Sequence, residues 1–250
     1  CSSVFGYLVN DGEEACQLLR ERLDELGLPV EVLNGGVPGY NIYQTRDRFE
    51  KRIAEYQPDI VILYLGYNDL PYVTSAKPDA RQFRVRDGLF APSWKRRLSP
   101  SVFGSFLGNR LGLSSPKPRR HWGSEPSPIG ESQFRENYLD LVAIARRENA
   151  DVFVCTQALA AHPKIDPTLK AFLPTDSEQQ AGAIELAKWL HDTIESLAGQ
   201  TDCQFIDAYV EIPGTAEFLG DDVHLTRKGE ERLAELWAEK VNSICTARNP

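Results

Sequence analysis

The chain has 250 residues, 42% of them hydrophobic and 26% charged, and a net charge of −8. These values suit an ordinary globular protein rather than a low-complexity chain, and the acidic balance argues against wholesale nucleic-acid binding. No apolar run reaches the ~18 residues that a membrane-spanning helix needs.

In chain order, helix and strand patterns alternate. Residues 13–27 have the apolar spacing of a helix that ends at Gly27. Val30–Leu33 is a short apolar strand that breaks into Asn34-Gly35-Gly36-Val37-Pro38-Gly39, a loop by composition. Residues 44–56 read as a helix. Asp59–Leu65 is a continuous β-branched run, as expected of a strand buried on both faces. Residues 131–148 are helical, Ala150–Thr156 is a second buried strand, and 176–198 is a long amphipathic helix. Cys203–Asp207 is a strand, and Thr226 is placed to cap a last helix running to Val241. Such alternation predicts an α/β fold with a parallel sheet and helices on both faces.

Residues 71–130 interrupt the alternation. Within 81–120 there are ten Lys/Arg and one acidic residue, Asp87, so this stretch carries +9 and the remainder −17. Leu98–Leu111 fits a short amphipathic helix. An excursion of this length suggests a basic cap on a single 1–250 domain, with charge suited to an anionic substrate or an anionic membrane surface.

There is no methionine, and the five cysteines, Cys1, Cys16, Cys155, Cys203 and Cys245, form no Cys-x-x-Cys pair. Cys16, Cys155 and Cys203 sit among apolar neighbours and are expected to be buried thiols rather than a disulfide or zinc framework. The first residues lack the charged start of a signal peptide.

Three motifs fall after strands, where open α/β sheets carry their sites. Gly66-Tyr67-Asn68-Asp69 follows the buried Asp59–Leu65 run and could be a simple turn. Asn34–Gly39 is rich enough in glycine for backbone N–H groups to approach an anion. Asp221-Asp222-Val223-His224 precedes the last helix, and an Asp three residues before a His can turn back onto the imidazole Nδ1 and leave Nε2 as a base. His121, His162 and His191 read as structural or solvated. The chain has no G-x-S-x-G, P-loop, G-x-G-x-x-G or H-E-x-x-H pattern.

In order and spacing these blocks resemble the SGNH (GDSL) esterases and lipases. Cys1-Ser2-Ser3-Val4-Phe5-Gly6-Tyr7 overlays the nucleophile block, with Cys1 at the family Asp, Val4 at its Ser/Thr, and Gly6 and Tyr7 matching. Asn34…Gly39, Gly66–Asp69 and Asp221…His224 overlay the later blocks. The resemblance implies a three-layer α/β/α sandwich of flavodoxin-like strand order. The family's first strand would precede Cys1, so the chain is expected to be a piece of a longer polypeptide.

It further implies a serine ester hydrolase without metal or organic cofactor. Ser2 would be the nucleophile, His224 the base and Asp221 its partner, with Asp222 as the fallback. The oxyanion hole would combine the backbone N–H groups of Ser2 and Gly39 with the Asn68 amide. The substrate would be an acyl or acetyl ester of a sugar, lipid or small alcohol; the sequence leaves the compartment open between cytoplasm and cell envelope. A non-catalytic carbohydrate- or protein-binding module on the same fold is the competing reading, and a Cys1 nucleophile is a third.

Overall fold

A computed structural model describes residues 1–28, 30–75 and 125–248. The body of the basic cap, with the Leu98–Leu111 stripe and His121, lies outside the described residues.

The sheet has three parallel strands in the order β1 (Ile60–Tyr64), β2 (Asp151–Cys155) and β3 (Gln204–Ile206). Ile60 is in register with Asp151 and Tyr64 with Cys155; Phe153 pairs with Gln204 and Cys155 with Ile206. Residues paired in register point to the same face. Tyr64 therefore shares a face with Cys155, and there its ring lies edge-on to Trp237 at 5.9 Å.

Trp237 belongs to α8 (Arg227–Arg248), which packs along α2 (Ala15–Glu25). The buried stripe Ala15, Leu19 and Leu23 of α2 follows the helical period, as does Leu233, Ala234, Trp237 and Val241 of α8. The other face carries α5 (Pro128–Arg147) and α6 (Ser177–Thr201), both against β2, with α3 (Ile42–Arg48) outside α5. The result is an α/β sandwich of three layers.

The caps explain the boundaries. Asn41 and Gln44 form a reciprocal capping box, so α3 begins two residues earlier than its apolar pattern indicates. It then continues as a π turn, Phe49–Ile53, and a 3₁₀ turn, Ala54–Tyr56. Ser127 Oγ accepts from Gly130 N at 3.1 Å to start α5. The Asp176 carboxylate accepts from Glu178 N and Gln179 N, both at 3.0 Å, to start α6. Thr226 Oγ1 accepts from Gly229 N at 3.3 Å, and α8 runs beyond Val241 to Arg248.

The expected strand Val30–Leu33 does not form. Val30 and Val32 pack against the core, but Leu33 is largely exposed. Among the described residues no strand pairs with this segment, and an apolar run without a partner has no ladder hydrogen bonds to make as a strand. Short helices α1 (Ser2–Phe5), α4 (Leu70–Val73) and α7 (Ala208–Glu211) are present where no period was visible.

All five cysteines are free thiols. Burial pushes the Cys16 and Cys155 thiols up to about 12. Cys203 is only partly buried and accepts from Arg146 Nη2 at 3.5 Å.

Candidate active site

The parallel strands deliver their C-terminal ends to one edge, and the segments after β1 and β2 build the site with α1 and the loop before α8. Ser2 is the first residue of α1, so its amide has no acceptor within the helix. Its hydroxyl lies 2.7 Å from His224 Nε2, and His224 Nδ1 lies 2.6 Å from Asp221 Oδ2. The other Asp221 oxygen accepts from the backbone of Val223 at 2.9 Å and of His224 at 2.8 Å. Both carboxylate oxygens are thus committed, and the ring is fixed with Nδ1 toward Asp221.

Burial pushes the Asp221 carboxyl up, but the hydrogen bonds from the His224 ring and the two backbone amides outweigh it. The net result holds Asp221 below the ordinary carboxylate range. The exposed Tyr7 ring stacks against the His224 ring, centroids 4.8 Å apart and planes at 33°.

Asp222 points elsewhere. Its side chain accepts from the hydroxyl of Tyr67, and its carbonyl accepts from Ala160 N at 3.1 Å. Cys1 Sγ donates to the Tyr64 carbonyl at 3.4 Å and accepts from Gln157 Nε2 at 3.4 Å. The His224 ring therefore meets the Ser2 hydroxyl, not the Cys1 thiol.

The Gly66–Asp69 block is both a turn and a scaffold. Gly66 has φ +132, and a Cβ there would meet Leu190 Cδ1 at 2.8 Å, so glycine is needed where the chain leaves β1. The following 3₁₀ turn, Tyr67–Asp69, presents Asn68, whose amide nitrogen donates to Tyr40 O at 3.0 Å. A primary amide has two N–H groups; one anchors the loop that holds Gly39, and the other meets no acceptor among the described residues.

Asp69 is buried and accepts from Ile42 N at 2.9 Å, joining the same block to the start of α3. Burial pushes its carboxyl up to about 7, against the pull of the Ile42 amide and the Tyr72 hydroxyl.

The Asn34–Gly39 loop grips α1. Asn34 Nδ2 donates to Val4 O at 2.9 Å, while Asn34 Oδ1 accepts from Gly36 N at 2.9 Å. A Cβ on Gly36 would sit 2.6 Å from Phe5 N, so only glycine allows this approach. Gly39 lies in the turn that follows, and its N–H meets no acceptor among the described residues.

Sequence reasoning missed Ser3, Tyr67 and Gln157. Ser3 Oγ donates to Val223 O at 3.1 Å, and Gln157 Oε1 accepts from Tyr67 N at 2.7 Å. A glutamine directly after the buried strand Ala150–Thr156 was the available signal, since a buried amide must find partners.

His191 lies on α6 and is held by carboxylates of its own. Its ring lies 2.9 Å from Asp192 Oδ1 and 3.1 Å from Asp207 Oδ2. With Glu195, His191 and Asp192 are the group of possible metal donors found among the described residues. Both ring nitrogens already face carboxylates.

Comparison with known proteins decides the family. The model of the GDSL-like Lipase/Acylhydrolase family matches residues 2–232. The chain belongs to this family. Membership places it among ester hydrolases. No curated protein matches the chain by sequence.

Among solved structures, a carbohydrate acetylesterase family member from Sinorhizobium meliloti is similar, at 15% identity and TM-score 0.57, covering 97% of this chain and 94% of its own. The acetyl xylan esterase AlAXEase has 18% identity and TM-score 0.54, with 92% and 91% covered. TesA has 16% identity and TM-score 0.54, with 94% and 91% covered. At these identities the likeness concerns the fold, which is that of GDSL hydrolases. No helix among the described residues is long and apolar enough to cross a membrane.

Proposed function

We propose that the chain hydrolyses carboxylic esters through an acyl-enzyme on Ser2, within a single domain carrying the basic insertion. The observation that supports this most is the continuous chain from Ser2 Oγ to His224 Nε2 at 2.7 Å and from His224 Nδ1 to Asp221 at 2.6 Å.

In this mechanism Ser2 Oγ attacks the ester carbonyl and His224 Nε2 takes its proton. Asp221 stabilises the imidazolium that forms. Negative charge gathers on the carbonyl oxygen and is met by the N–H groups of Ser2 and Gly39 and the second N–H of Asn68. The intermediate collapses, and His224 returns the proton to the leaving alcohol. Water then attacks the acyl-enzyme with His224 again as base, which frees the acid and Ser2. The cycle uses side-chain and backbone groups alone.

The acyl group is proposed to be short, on a sugar, lipid or small alcohol. Acetylated xylan and an aryl acetate are the first substrates to try, given the activities named for the similar structures. A fluorophosphonate probe tests the nucleophile. Labelling at Ser2, lost in Ser2→Ala together with hydrolysis, supports the proposal. Labelling nowhere would favour a binding module, and hydrolysis abolished by iodoacetamide in Ser2→Ala would move the nucleophile to Cys1.

A further inference from the structure

Three segments must hold register for the proposed chemistry: α1 with Ser2, the turn with Asn68, and the loop with Asp221 and His224. One buried residue, Tyr67, is linked to the frame of all three, directly or through Gln157. Tyr67 precedes Asn68, and Asp222 follows Asp221. The Tyr67 hydroxyl donates to Asp222 Oδ2 across 155 positions of sequence. The Tyr67 amide donates to Gln157 Oε1 at 2.7 Å, and Gln157 Nε2 donates in turn to Cys1 Sγ, the residue before Ser2. Tyr67, Gln157 and Asp222 are 8%, 2% and 6% exposed.

A phenol donating to a carboxylate is a charge-assisted hydrogen bond, short and directional. In a dry site it resists the sliding of one loop past the other more strongly than it would in water. Its two ends lie one residue from Asn68 and one from Asp221. A shift at either end therefore changes the distance between the group that stabilises the oxyanion and the group that carries the base. A misplacement of about 1 Å at such a site can cost about 100-fold in rate.

We propose that Tyr67 is a positioning residue. Clamped by Gln157 at its amide and by Asp222 at its hydroxyl, it fixes the Asn68 turn against the Asp221–His224 loop without touching substrate. This rests on the reading of Ser2, His224 and Asn68 given above. It also assigns Asp222 a task of its own, distinct from that of its neighbour Asp221.

The test is steady-state hydrolysis of an aryl acetate by Ser2→Ala, Tyr67→Phe, Asp222→Ala, Asp222→Asn and the Tyr67→Phe/Asp222→Ala double variant. Thermal melts run alongside. Tyr67→Phe and Asp222→Ala should each lower kcat by about 10- to 100-fold with KM within about twofold. The double variant should be no worse than either single one, because both remove the same bond. Asp222→Asn keeps an acceptor for the phenol and should recover most of kcat.

Unchanged kcat in Tyr67→Phe overturns the proposal. So do single losses that multiply in the double variant, or a loss confined to KM. Should Tyr67→Phe not fold, Asp222→Ala reads the same bond from its other end, and failure of both to fold assigns the pair to stability alone. Ser2→Ala separates the two levels. If it remains active, the underlying reading falls and this proposal with it; if it is inactive while Tyr67→Phe is normal, only the positioning role falls.

Discussion

Ser3 Oγ donates to the Val223 carbonyl at 3.1 Å. The residue after the proposed nucleophile is thereby bound to the residue before the proposed base, 220 positions away. Ser3 is buried, so its loss strands a carbonyl away from water. Ser3→Ala should cost about 1–3 kcal/mol of stability, read as a lower melting temperature. It should also reduce kcat, because α1 is then free to drift from His224.

The two neighbouring aspartates should separate by the size of their effects. Asp221 holds His224 Nδ1, whereas Asp222 holds Tyr67. Asp221→Asn should lower kcat by about 10⁴-fold, since an amide there favours the wrong imidazole tautomer. Asp222→Asn should stay far closer to the parent. Kinetic constants on one aryl ester check the order, and equal losses would show that Asp221 has no special part beside Asp222.

On the proposed mechanism, Asn68 should bear on the transition state more than on folding. Removing a donor that meets charge only as it develops lowers kcat by about 10²–10³. Asn68→Ala also deprives Tyr40 O of its partner, so a stability loss of about 1 kcal/mol should accompany it. Measurement of kcat together with a melt separates the two effects. Unchanged kcat with a lowered melting temperature would reduce Asn68 to a loop anchor.

Glu230 should make stability fall with rising pH. It is buried and its carboxylate accepts from Ala15 N at 3.0 Å, which caps α2 from α8. Burial pushes it up to about 8, against the pull of the Ala15 amide and with the help of nearby Glu14. Between the unfolded value near 4.5 and about 8 the folded chain keeps a proton that the unfolded chain has released. Its stabilising contribution is thus complete below about pH 4.5 and is lost as pH rises through 8. Glu230→Gln should match the parent near pH 5 and exceed it by at least about 1 kcal/mol at pH 8.5, roughly 2–4 °C for a chain of this size. Melts at the two pH values check this; a difference that does not change with pH would show that Glu230 keeps its charge.

The parts of the fold that were legible owe it to local signals. Asp59–Leu65 and Ala150–Thr156 are each built around an apolar run, Ile60–Leu65 and Val152–Cys155, and each contains a strand. Thr226 caps the last helix as its residue type and position indicate. The start of α3 was equally readable, since Asn41 and Gln44 have capping-box spacing, but the apolar period alone hid it. Val30–Leu33 misled because strand formation depends on a neighbour, not on the run itself. The end of α8 went unread because Asn242 and Ser243 break the apolar stripe without breaking the helix. At the site, the spacing from Asp221 to His224 carried the local contact. The same spacing favoured Asp221 over Asp222, but the contact of Asp222 with Tyr67 was hidden, because the two lie 155 positions apart, too far for any window to capture.

The separation of Ser2 from His224 by 222 positions has a consequence for synthesis. A growing polypeptide that has reached residue 220 already holds β1, β2 and β3 and carries the serine, yet it possesses no base to activate that serine. On the proposed mechanism, hydrolysis cannot begin on the ribosome until the loop before α8 has emerged and closed back onto α1. Abortive products shorter than this would be harmless to the cell's esters, and the appearance of turnover in a synchronised translation reaction would time the meeting of these distant segments.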